Sequence, residues 1–160
     1  MQKRSKTFFI DIGNTTTKYT QFKDNALVHN SHIATQSLTK DVVDRLFMDA
    51  YCVICSVVPE KDSLFQQDHM MFINHQNIPF IALNVPHPEQ VGSDRLVTAL
   101  AASLSQQGPC LVIDSGTALT FCYIDEYHTY QGGAIFPGLT TSSKALNDYT
   151  AKIPLIYVEP

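Results

Sequence analysis

The stretch from Phe8 to Lys18, FFIDIGNTTTK, decides how the rest of the chain is read. An apolar run ends on Asp11 and Ile12, Gly13 and Asn14 interrupt it, and three threonines lead to Lys18. An apolar run broken by Gly-Asn and resumed by β-branched residues predicts two strands joined tightly, with Gly13-Asn14 at the bend. Glycine lets backbone approach a ligand closely, and the N–H groups of such a turn form an anion-binding concavity. Thr15, Thr16 and Thr17 add hydroxyl donors, and Lys18 adds a point charge suited to phosphate. Asp11 repels phosphate. Its natural partner is the Mg²⁺ that accompanies a nucleotide, a hard cation that seeks oxygen ligands.

The pattern returns late in the chain. Residues 111–120 read LVIDSGTALT, and laid over FFIDIGNTTT the aspartates and glycines coincide, as do the last threonines. One Asp-x-Gly turn is a weak signal. Two copies, each closing an apolar strand, predict two homologous half-domains whose hairpins face each other across a cleft that holds a nucleotide's phosphates.

Composition limits the alternatives. Apolar residues make up 44% and charged residues 16% of the 160 residues. No apolar run approaches the roughly 20 residues that span a bilayer. The basic start MQKRSKT is followed by an apolar run too short for a secretory signal, so a cytoplasmic, membrane-free protein is expected. The net charge of −4 argues against a nucleic-acid surface. Cys52 and Cys55 form a C-x-x-C inside the strand-like run YCVICSVV, without the turn that a metal knuckle needs. Residues three apart on a strand point to opposite faces, so both are expected to be structural thiols.

The coarse order is strands at 7–12, 16–23 and 26–34, a helix from Ser37 to Asp49, and a buried strand from Tyr51 to Val58. A helical segment is expected over 60–75, then a short strand over 79–83. Apolar residues at helical spacing predict a further helix through Leu96, Val97, Leu100, Ala101 and Leu104. This order points to a mixed sheet covered by helices. Turn residues at 106–109 place a boundary between a first half, 1–108, and a second, 109–160. At the start of the later helix, Asp94 can cap it and complement its dipole. Beside a cleft, the same carboxylate could take a proton from a hydroxyl nucleophile, and Arg95 could grip an anion with both its nitrogens.

Taken together, DIGNTTTK at 11–18, GSDR at 92–95, DSGTALT at 114–120 and GGAIFPGL at 132–139 resemble the type III pantothenate kinase family in order and spacing. The resemblance implies an α/β fold of duplicated ribonuclease H-like, actin-like ATPase half-domains, with mixed sheets flanked by helices. It implies ATP-dependent phosphorylation of pantothenate to 4'-phosphopantothenate, the first step of coenzyme A biosynthesis. By position, Asp94 would be the general base, and Gly92, Ser93, Asp94 and Arg95 would hold pantothenate. Asp11, Ile12, Gly13, Asn14, Thr15, Thr16, Thr17 and Lys18 would bind ATP phosphates, with Asp11 on the Mg²⁺ side. Thr117 would contact ATP, and Asp114 would help bind the monovalent cation, K⁺ or NH₄⁺. A homodimer is expected of the full-length form.

Three departures stand against the pattern. Val85 lies where many members carry a tyrosine, Cys122 lies where many carry a second aspartate, and the family continues beyond the position of Pro160. The second half-domain is therefore expected to be incomplete, and the apolar tail KIPLIYVEP to lead into further structure. The competing phosphate signatures G-x-x-x-x-G-K-[ST] and G-x-G-x-x-G are absent. Two readings follow: a kinase, active or inactive in this short form, and a non-catalytic nucleotide-binding or regulatory protein that keeps the fold.

Overall fold

A computed structural model describes residues 6–24 and 26–157. The last three residues of the 152–160 tail lie outside them. The chain divides into two compact units, residues 1–78 with 89–97, and residues 79–88 with 98–160.

The first unit is built on a five-stranded sheet in the order β3-β2-β1-β4-β5. Strands β1 (Thr7–Ile12), β2 (Thr16–Lys23) and β3 (Ala26–Ala34) form an antiparallel meander, and β4 (Tyr51–Ser56) and β5 (Met70–Phe72) add in parallel. This is the mixed, ribonuclease H-like order expected from the sequence. Phe8, Ile10 and Ile12 alternate inward along β1, and Tyr19, Cys52 and Ile54 join them from the neighbouring strands. Helix α1 (Lys40–Phe47) covers this face with Val43 and Phe47, both fully buried. It begins where it does because the Thr39 hydroxyl accepts the Val42 N–H, and a Lys40–Asp44 pair at 2.8 Å supports its exposed side.

The segment 60–75 departs from the expected helix. One turn, α2 (Pro59–Asp62), starts on a proline at its first position and passes into a 3-10 turn over Ser63–Phe65; β5 then pairs with β4. Leu64 and Phe65 lie seven residues before Met71 and Phe72, a spacing that mimics a helical face. Pairing to the open edge of β4 overrides it.

The second unit holds a four-stranded sheet in the order β6-β9-β8-β7. Here β7 (Cys110–Ser115), β8 (Ala118–Ile124) and β9 (Thr129–Pro137) form an antiparallel meander that repeats β1-β2-β3, and β6 (Ala82–Leu83) runs parallel to β9. Helix α4 (Leu139–Tyr149) follows β9 directly, and α3 (Ser93–Ser105) carries its first turn in the first unit. Among the described residues, no helix is long and apolar enough to cross a membrane.

Candidate active site

The face of the first sheet opposite the core carries Asp11 and its polar neighbours. Side chains alternate across a strand, so burying Ile10 and Ile12 turns Asp11 to the other side. In register, Asp11 stands beside Lys18 on β2 and Cys55 on β4. These three line a cavity of about 270 Å³, walled by Phe9, Val53 and Val97.

The start of α3 is locked to this row. The Ser93 hydroxyl accepts the Ser56 N–H at 2.9 Å and donates to the Ser56 carbonyl at 2.8 Å. The Cys55 thiol donates to the same hydroxyl at 3.3 Å and hydrogen-bonds Asp11 as well. Burial pushes this thiol up to about 12, the charges of Asp11 and Asp94 add to the rise, and the Ser93 hydroxyl offsets part of it. Cys55 therefore stays neutral at physiological pH, within the fields of both carboxylates. Asp94 sits in the first turn of α3, where it accepts the N–H of Arg95 at 2.8 Å. Gly92 gives the turn its first helical acceptor, to Leu96 at 3.1 Å. A side chain at Gly92 would bring its Cβ to 2.5 Å from Asp94 Oδ1, so the glycine leaves room for that carboxylate where it rests. A second cavity, of about 350 Å³, lies at this turn and is lined by Ser56, Asp62, His75, Glu89 and Gly92.

Both hairpins form, but the first bends at Asn14-Thr15, one residue past the expected Gly13-Asn14, and the second turn is one residue shorter. In the first, the Gly13 N–H donates to Thr16 O at 3.2 Å, and Asn14 and Thr15 are exposed. Ile12 and Thr17 are fully buried: Ile12 belongs to the core, and the Thr17 hydroxyl lies 3.0 Å from that of Thr35. In the second, the Gly116 N–H donates to Ala118 O at 2.8 Å. Asp114 is exposed at the end of β7, opposite Thr120 in register, and Thr117 is exposed at the turn. Gly138 packs against this turn so closely that a Cβ there would strike the Gly116 and Thr117 carbonyls.

The structure thus sets Asp11, Lys18 and Cys55 side by side in the first unit, bonds Ser93 to Cys55 with Asp94 next in the chain, and places Asp114 and Thr117 in the hairpin of the second. Reasoning from sequence missed two residues of this arrangement. Cys52 and Cys55 are both buried free thiols, as expected, but Cys55 also borders the Asp11 cavity. Ser56 supplies the backbone that anchors Ser93. Only the parallel register of β1 and β4, invisible in sequence, places them there. Among the described residues, no group of three or more His, Cys, Asp or Glu could hold a metal ion by itself.

Comparison with known proteins identifies the family. The chain matches the family described as type III pantothenate kinase over residues 7–160. It is 35% identical to the type III pantothenate kinase of Exiguobacterium sibiricum, covering 93% of this chain and 67% of that protein. It is 35% identical to that of Listeria innocua, covering 92% and 64%, and 32% identical to that of Methylacidiphilum infernorum, covering 94% and 58%. The chain therefore spans about two thirds of its curated relatives or less. In structure it is similar to a Campylobacter jejuni protein named as a conserved Baf family transcriptional activator, with a TM-score of 0.62 at 20% identity over 89% of this chain and 60% of that one. At that identity the likeness is one of fold. With four motifs in order, two matching hairpins and a match along nearly its whole length, the chain belongs to the type III pantothenate kinase family.

Proposed function

We propose that this chain carries the phosphoryl-transfer site of a type III pantothenate kinase, which moves the γ-phosphoryl group of ATP to the primary hydroxyl of pantothenate, the first step of coenzyme A biosynthesis. The observation that carries this reading is the link through Cys55, which stands beside Asp11 in register and whose thiol donates to Ser93, the residue before Asp94. It ties the strand bearing a carboxylate suited to Mg²⁺-nucleotide to the helix start bearing one suited to a hydroxyl nucleophile. Phosphoryl transfer asks mainly for positioning and charge neutralisation, with one base near the nucleophile.

In this reading Asp94 accepts the proton of the pantothenate hydroxyl, and Arg95 and the Gly92–Ser93 backbone orient the substrate. The Ser93 side chain serves the protein, because its hydroxyl is committed to Ser56. Asn14, Thr15, Thr16 and Lys18 offer donors and charge to the phosphates, whereas Ile12 and Thr17 can contribute only through their backbone. Asp11 fits the Mg²⁺ of Mg-ATP, whose other ligands are phosphate oxygens and water. In the second unit, Thr117 would contact ATP. Asp114 and Thr120 offer adjacent oxygens, a donor set suited to K⁺ or NH₄⁺. The cation would neutralise phosphate charge there. The full-length protein would work in the cytoplasm as a homodimer.

The test is product formation. Mixed with Mg-ATP and pantothenate, the chain should yield 4'-phosphopantothenate, identified by mass and by phosphate on the primary hydroxyl. Saturable Mg-ATP binding without product would favour the second reading, a non-catalytic nucleotide-binding protein.

A further inference from the structure

We infer that Thr35 and Thr141 are positioning residues, one for each phosphate-facing hairpin, and this rests on the nucleotide-binding reading above. The two hairpins are held the same way by whatever follows the third strand of their meander. In the first unit β3 ends at Ala34, and Thr35 comes next. Its hydroxyl donates to the Gly13 carbonyl at 2.7 Å and its N–H to the Thr15 carbonyl at 3.0 Å. In the second unit β9 ends at Pro137, and the Gly138 N–H donates to the Thr117 carbonyl at 2.9 Å. The Thr141 hydroxyl, one turn into α4, donates to the same carbonyl at 2.7 Å.

Two donors from the segment after the third strand therefore bind each turn, at the Gly13 and Thr15 carbonyls in the first and both at the Thr117 carbonyl in the second. An oxygen bonded to Thr35, which is 2% exposed, points into the protein. A turn whose carbonyls are held inward presents less negative charge to an anion, and its remaining donors need no reorganisation when phosphate arrives. The two threonines do the same job in different surroundings: Thr35 is buried, and Thr141 is exposed. Loss of the Thr35 hydroxyl also strands the buried Thr17 hydroxyl, whereas loss of the Thr141 hydroxyl removes little beyond the one bond.

The test uses Thr35→Val and Thr141→Val, with Thr35→Ser and Thr141→Ser as the rescuing variants. Mg-ATP affinity is read by calorimetry, and amide exchange by mass spectrometry over residues 13–17 and 116–118. Each valine variant should weaken Mg-ATP about tenfold, the worth of one well-placed hydrogen bond. Exchange should speed in its own hairpin and not in the other, and serine should restore both. Thr141→Val should do so with its melting temperature almost unchanged, which a purely structural role would not produce; this keeps the test open if Thr35→Val fails to fold. Folded valine variants that bind Mg-ATP within twofold of wild type overturn the inference and leave the kinase reading standing. A wild-type chain that binds no Mg-ATP overturns both.

Discussion

At the scale of single residues, the proposed site turns on where the Asp94 carboxylate rests, and a buried thiol lies beside it. Gly92 leaves room for Asp94 Oδ1 where a Cβ would crowd it. Gly92→Ala should therefore displace the carboxylate and cut transfer by about tenfold or more, since about 1 Å of misplacement can cost more than that. Mg-ATP affinity should hold, and a variant with wild-type turnover would show that the carboxylate has other places to sit. Cys55 makes a prediction about pH. Its thiol is raised from about 9 to about 12 by burial first, then by the charges of Asp11 and Asp94. The unfolded chain loses this proton near pH 9 while the native chain keeps it, so the unfolded state binds fewer protons in that window. Stability should then fall by about 1.4 kcal/mol per pH unit between those values, and Cys55→Ala should flatten the slope. Denaturant midpoints taken from pH 8 to 11 would read it; parallel curves for the two proteins would contradict the burial of a neutral thiol.

At the scale of elements, the two hairpins take different roles in the proposed reading. Asp11→Ala should weaken Mg-ATP use, because the metal loses an oxygen ligand on its phosphate side. Asp114→Ala should instead blunt the response to added potassium or ammonium, and identical salt profiles for wild type and this variant would remove the cation role. The hairpins were legible in the sequence because each is local: Gly13-Asn14 and Gly116 announce their turns within ten residues. Helix α1 was legible for the same reason, its inward face being Val43 and Phe47 as the spacing requires. Strand β5 was not, because a seven-residue echo of apolar pairs imitates a helix and only the edge of β4 decides otherwise. Thr35 and Cys55 were also beyond reach. Thr35 meets Gly13 from 22 residues away, and Cys55 meets Asp11 only once β1 and β4 are in register.

At the scale of the whole molecule, the second sheet leaves one face open. Leu111 and Ile113 on β7 pair with Tyr123 and Phe121 on β8, and Phe136 on β9 meets Phe121 edge-on at 5.9 Å. Leu111, Ile113 and Phe136 are each more than half exposed. Apolar surface left in water forgoes about 25 cal/mol per Å², and a patch of a few hundred Å² also serves as an association surface. The chain should therefore be weakly stable and self-associate, and Ile113→Lys should reduce the association in sedimentation. A monomer that melts cooperatively above about 60 °C would contradict this, because it would match the better mesophilic domains without a covered face.

The claim that joins these scales is that Asp11 and Asp94 serve one phosphoryl transfer. It is tested most directly by quenched-flow measurement of 4'-phosphopantothenate, in wild type and Asp94→Asn, at saturating Mg-ATP. The account predicts transfer by wild type, a loss of about 10²-fold or more in Asp94→Asn, and nearly equal Mg-ATP affinity in the two. Equal transfer rates would reduce Asp94 to a helix-terminal residue and contradict the account.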